Sequence, residues 1–146
     1  MAVANQDTIE LLKECNAGVK MGVDSIAEVL DHVQSSNLKQ LLNSSKEEHQ
    51  KIGSEVHQVL NRYDESGKEP NPMAKSMSWL KTSTKLAVSP ADETVADLIT
   101  DGCNMGVKSL IRYRNRYPNA SEAARSIAGQ LIDSEQLLCK SMQPYL

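Results

Sequence analysis

Gly18-Val-Lys-Met-Gly-Val-Asp-Ser-Ile26 returns as Gly102-Cys-Asn-Met-Gly-Val-Lys-Ser-Leu110, the same G-x-x-M-G-V-x-S-[I/L] string 84 residues later, from position 22 to position 106. Around both copies, apolar residues recur at spacings of three and four, the period of an amphipathic helix. A string repeated at that distance within helical patterning predicts one domain made of two copies of a single helical hairpin.

Outward from the first copy, Ile9, Leu12, Cys15, Val19, Val23, Ile26, Leu30 and Val33 mark one helix, with Asp7 or Thr8 placed to cap its start. Ser35-Ser36-Asn37 interrupts the pattern. It resumes through Leu38, Leu41, Leu42, Ser45, His49, Ile52, Val56, Val59 and Tyr63, and so short a break implies an antiparallel neighbour. Asp64-Glu-Ser-Gly-Lys-Glu-Pro-Asn-Pro72 then stops the second helix. Met73, Met77, Leu80 and Trp79 suit a short amphipathic helix in a crossover over about 65–90, after which Ser89 or Asp92 can cap a third helix with Pro90 beside the cap. That helix runs through Val95, Leu98, Ile99, Gly102, Met105, Gly106, Leu110 and Tyr113. Pro118-Asn-Ala-Ser121 makes a tight turn with Ser121 as cap, and Ala124, Ile127, Leu131, Glu135, Leu138, Met142 and Tyr145 carry the last stripe. The expected architecture is an all-α four-helix bundle in a single domain over 1–146, with hairpins at about 7–64 and 91–145.

Composition agrees. Hydrophobic residues make up 40% of the chain and charged residues 24%, which fits a globular protein with a core of its own. Aromatic residues are only 3%, with no Phe, so Leu, Ile, Val, Met and Ala must fill that core, as suits helix-on-helix packing. A net charge of −3 with dispersed basic residues excludes a phosphate-binding stripe, so no nucleic-acid partner is expected. Arg112, Arg114 and Arg116 cluster, but alternate residues on a helix point about 200° apart and do not share a face. No apolar window reaches the roughly 18 to 20 residues of a membrane span, and the first residues lack signal-peptide order, so a cytoplasmic location and no membrane partner are expected. Cys15, Cys103 and Cys139 lack a C-x-x-C spacing and suit buried thiols, although Cys15 and Cys103 both lie near the repeated string.

The candidate functional residues sit on the stripes. Gly18 and Gly22, and again Gly102 and Gly106, are one turn apart in a helix, where each costs up to about 1 kcal/mol relative to Ala. Close approach of two helix backbones is the simplest reason for them, and room for a small apolar ligand is the alternative. The second and fourth helices register at an offset of 86, which aligns His49 with Glu135 at mid-stripe. These two suit a satisfied buried pair. Together with Asp24 and Glu48 they are also the candidate ligands for iron or manganese, since a bundle interior is where such side chains must point. Lys108 stands at the repeat position of Asp24 and suggests a salt bridge there. No G-x-S-x-G, phosphate-cradling G-x-x-x-x-G-K-[S/T] or H-E-x-x-H occurs, and His32 and His57 read as surface residues.

The duplicated hairpins, the crossover with Pro70-Asn-Pro-Met-Ala-Lys75 and Met77-Ser-Trp79, the Met-Gly-Val strings and the Pro-Tyr-Leu end resemble the small ferritin-like proteins of Gram-positive anaerobic bacteria, a family without assigned chemistry. The resemblance implies ferritin-like connectivity. It also implies a comparison with the di-iron members of the wider superfamily, which use one Glu from each of two helices and Glu-x-x-His from each of the other two. This chain departs from that pattern. Gln50 follows Glu47 at the required spacing, Lys51 follows Glu48, and Gln136 and Leu138 follow Asp133 and Glu135. The expected function is therefore binding or self-association without catalysis and without a cofactor, with a homodimer or a protein partner. Degenerate metal binding, oxidoreductase-like chemistry and apolar ligand binding are the alternatives. Met73, Met77 and Trp79 would carry an exposed apolar patch.

Overall fold

The computed structural model describes residues 2–63 and 91–146. The apolar spacing of three and four produces four long helices, α1 (Ala2–Leu30), α2 (Ser36–Asn61), α3 (Asp92–Arg116) and α4 (Glu122–Met142), closed by a 3-10 turn at Gln143–Tyr145. No strand occurs among the described residues. The crossover helix and the Met73, Met77 and Trp79 patch fall outside the described residues.

Serine chemistry starts two of the helices. Ser35 accepts a hydrogen bond from the Leu38 amide at 3.2 Å and Ser121 accepts one from the Ala124 amide at 3.2 Å, each satisfying a donor that a helix start leaves open. The other two helices begin differently from expectation. α1 starts well before Thr8, and Asp7 and Thr8 are turned onto the α3–α4 turn. The Asn119 amide donates to Asp7 Oδ2 at 3.0 Å and the Ser121 amide to Thr8 Oγ1 at 2.7 Å. Asp92 does not cap α3 either, because Ala91 is the capping residue and offers no side-chain bond. Its carboxylate instead receives the Gln34 amide at 2.8 Å and the Ser35 amide at 3.0 Å. Thr8 and Asp92, 84 residues apart, thus do the same work at opposite ends of the bundle: each holds the amide of the serine that caps the next hairpin's turn.

These clasps fix the chain's direction. α2 and α3 both begin beside residues 34 and 35, and α1 and α4 begin at the other end, so the helices run up, down, down, up. α1 packs on α2 and α3, α4 packs on the same two, and α1 also touches α4 across the middle. With 26 residues α2 is about 39 Å long at 1.5 Å per residue. Tyr63 and Ala91 therefore stand at opposite ends of the bundle.

The buried residues form two apolar clusters stacked along the axis. One gathers Leu11, Leu12, Cys15, Val19, Ile52, Val56, Leu60, Leu110, Leu131 and their neighbours. The other gathers Ile26, Val29, Leu38, Leu42, Val95, Ile99, Cys103, Leu138 and Met142. Inward positions recur between hairpins: Leu11, Leu12, Cys15, Val19 and Ile26 are buried at the places that Val95, Ala96, Ile99, Cys103 and Leu110 occupy 84 residues later.

Asp92→Ala removes the acceptor for two backbone amides and is expected to cost about 1–2 kcal/mol, given that hydrogen bonds to a charged group contribute about 1.5–3 each and that this one is part-exposed. Urea unfolding with an unchanged m-value would register that loss. A change of under about 0.5 kcal/mol would show that the clasp does not hold the bundle end.

Candidate functional site: a polar layer in the bundle core

Between the two apolar clusters, each helix supplies one inward residue: Gly22 from α1, His49 from α2, Gly106 from α3 and Glu135 from α4. The local spacing fixes this placement. His49 continues the stripe of Leu42, Ile52 and Val56, and Glu135 the stripe of Leu131, Leu138 and Met142, so neither can leave the core while its helix stays packed. His49 is 1% exposed and Glu135 7%.

His49 Nε2 lies 3.2 Å from Glu135 Oε1, and His49 Nδ1 donates to the Ser45 carbonyl at 2.8 Å. The second bond places a proton on Nδ1. A proton on Nε2 as well makes the contact with the carboxylate an imidazolium–carboxylate pair. Burial opposes charge on the ring and is the largest single influence. The Glu135 hydrogen bond and charge, the Ser45 carbonyl and the nearby Glu48 together outweigh it, so His49 holds its proton above the ordinary histidine range. The Cys103 thiol of α3 also faces Glu135, and burial and that carboxylate push its titration far up. Cys15 is pushed up to about 12, chiefly by burial and then by Glu14. Both are inert thiols under ordinary conditions. They fall in different apolar clusters, on either side of the layer, and so do not pair.

The glycines separate into two kinds. A methyl group at Gly22 would come within 2.8 Å of His49 Cδ2 and 3.1 Å of Nε2, and one at Gly106 within 2.9 Å of Glu135 Oε2. The imidazole and the carboxylate occupy the space that these two residues leave, so what approaches each glycine is a polar side chain and not a helix backbone or an open pocket. Gly18 would make only ordinary contact, 3.6 Å from Leu131, and Gly102 meets nothing within 4 Å. The tight approach between helices lies elsewhere, at Gly53, where a methyl would come 3.0 Å from Val19 Cγ1.

The remaining candidates do not join the layer. Glu48 is exposed beside His49, and Asp24 is half-buried with a polar contact of its own. Lys108 is exposed. Among the described residues no group of three or more His, Cys, Asp or Glu side chains is placed to share a metal ion. Arg112 and Arg116 are exposed at the end of α3, with the Arg116 guanidinium over the Tyr113 ring at 5.4 Å from its centre. Arg125 donates to the Arg114 carbonyl at 3.1 Å, closing one of α3's last open acceptors. Among the described residues no helix is long and apolar enough to cross a membrane.

No protein-family model and no curated protein matches the chain. Its fold has a solved counterpart. YcfI of Rhodopseudomonas palustris, a protein of proposed structural role, superposes with a TM-score of 0.74 over 93% of both chains at 14% sequence identity. The likeness establishes the all-helical fold.

Sequence reasoning aligned His49 with Glu135 but missed two partners of the pair and the clasps at the bundle ends. The Ser45 carbonyl is a backbone group, which a side-chain pattern does not reveal. Cys103 reaches Glu135 from within the repeated string, at the place of Val19. The clasps at Thr8 and Asp92 were legible only as caps.

Single substitutions should sort the glycines. Gly102→Ala is expected to stabilise by about 0.5–1 kcal/mol, the backbone gain of Ala over Gly in a helix with open space for the methyl. Gly22→Ala and Gly106→Ala are expected to destabilise by about 1–3 kcal/mol, because the ring and the carboxylate must move off the pair. Thermal and urea unfolding of the three variants checks the order, and a stabilising Gly106→Ala would mean that the layer has slack.

Proposed function

We propose that this chain is a ferritin-like bundle, made by duplication of one hairpin, in which an ion pair occupies the level of the superfamily's metal layer. It acts without catalysis, through binding or self-association. One observation carries this reading. Where all four helices present a residue to the middle of the core, the set is Gly22, His49, Gly106 and Glu135, and its only imidazole and carboxylate are bonded to each other. A di-iron centre draws on about six carboxylate and imidazole ligands. Two that neutralise each other, walled by glycines with no room to spare, support packing rather than redox chemistry.

The repeated buried positions and the matching clasps at Thr8 and Asp92 support duplication. The proposed structural role of YcfI, carried to this chain, agrees with a non-catalytic bundle. Met105 and Leu137 support self-association as the mode of action. They are large apolar side chains 66% and 67% exposed on α3 and α4, and a homodimer could cover them. A cytoplasmic location goes with the same reading.

Elemental analysis of untagged protein from cells supplemented with iron and manganese tests it, with a His49→Ala/Glu135→Ala variant alongside. The expected result is folded protein without stoichiometric metal. Near-stoichiometric iron or manganese that disappears in the variant would overturn the proposal and place metal chemistry in the layer. Sedimentation equilibrium of the wild type and Met105→Ser/Leu137→Ser tests self-association, which predicts a weaker dimer in the variant.

A further inference from the structure

The pair has a property that its packing role does not require. His49 belongs to the first hairpin and Glu135 to the second, and their bond crosses the seam where α2 packs on α4. We propose that His49 and Glu135 form a proton-operated latch between the hairpins, closed while the imidazole carries both protons and released when it loses the one on Nε2.

The geometry leaves little alternative response. The Nδ1 contact with the Ser45 carbonyl is the shorter of the ring's two bonds, 2.8 Å against 3.2 Å to Glu135, and the latch takes Nε2 as the nitrogen that gives up its proton, a choice the ring's nitrogen shifts report directly. The ring then presents a lone pair to Oε1 across 3.2 Å, and a buried carboxylate is left without its counter-charge. Retreat towards α1 and α3 is short: the ring lies against Gly22 and the carboxylate against Gly106, where an added methyl would come within 2.8 and 2.9 Å of them. The groups described against the pair include no cation besides the ring itself. α4 brings Glu135, α2 brings Glu48 and the Ser45 carbonyl, α3 brings Gly106 and the Cys103 thiol against Glu135, and α1 brings Gly22. Relief must come from movement of the α2–α4 seam, or from water entering it. The apolar clusters above and below keep the ends of the bundle packed, so the opening is local.

The direction in pH follows from the raised proton affinity of His49 in the folded protein. Stabilisation by the pair is complete below the unfolded histidine value of about 6.5 and is lost as pH rises through the higher folded value. The latch therefore releases on the alkaline side.

The test follows the wild-type ring itself. Nitrogen NMR of His49, in protein carrying His32→Gln and His57→Gln at the two other histidines, gives its titration between about pH 6 and 10. Hydrogen exchange over 45–53 and 131–139 is followed in parallel, corrected for the intrinsic base-catalysed rate. The expected result is a ring that titrates above the ordinary histidine value, with seam protection falling roughly ten-fold or more in step with it while amides around Leu11 and Met142 stay protected. In His49→Gln/Glu135→Gln the step should vanish. A ring titrating at or below the ordinary value, or seam exchange that tracks only the intrinsic rate, overturns the latch. The wild-type measurement, made on protein stripped of metal with a chelator, decides this even where the double variant does not fold.

Discussion

The polar layer constrains everything around it. An imidazole and a carboxylate buried in a bundle core are tolerable only while each satisfies the other, because several kcal/mol of desolvation per ion must be offset by one contact of 3.2 Å and the bonds that support it. That requirement reaches each helix in turn. α2 must deliver His49 with its Ser45 carbonyl one turn before it, α4 must deliver Glu135 at the same height, and α1 and α3 must be reduced to Gly22 and Gly106 where the pair needs space. The two apolar clusters are what remains of the core once this level is set aside.

The ends of the bundle answer the same need for alignment by other means. Thr8 holds the amide of Ser121 and Asp92 that of Ser35, and these serines in turn cap α4 and α2. The start of each hairpin is thereby hydrogen-bonded to the turn of the other, so the hairpins are aligned at both ends and in the middle. Each contact is modest alone. Three at different heights oppose rotation as well as sliding, which apolar packing, being non-directional, does poorly.

Much of this was legible in the sequence because it is periodic. The repeated string, the apolar stripes and the Ser121 cap each express a local rule, and the pairing of His49 with Glu135 followed from aligning one hairpin on the other. What the sequence concealed is non-local. Asp7, Thr8 and Asp92 are good capping residues by type, and nothing local distinguishes an acceptor that caps its own helix from one that reaches a turn more than fifty residues away. The four repeated glycines look alike in sequence, yet only Gly22 and Gly106 have the pair pressed against them, while Gly102 faces open space. Gly53 lies outside the repeat and carries no signal, although Val19 crowds it most closely among the apolar contacts of the glycines. Asp24 and Glu48 failed to join the layer for a periodic reason: each is two positions or one position from a layer residue, which on a helix rotates it about 200° or 100° away from the core.

An ion pair need not raise stability to be worth keeping. Well-packed apolar residues often match or exceed a buried pair in energy, and an all-apolar layer would let these regular stripes of Leu, Ile and Val pack in more than one alignment. With the pair present, the alternatives separate. Sliding α4 by one turn against α2, about 5.4 Å, would set Leu131 or Leu138 opposite His49 and carry Glu135 into an apolar cluster. An unpaired buried charge costs about 3–5 kcal/mol, comparable to a large part of a small domain's whole stability. The same slip would move Gly22 and Gly106 away from the side chains they accommodate. A layer that contributes little to the depth of the native state can thus contribute most to its uniqueness, and a register set by a titratable group is one that the loss of a proton can loosen.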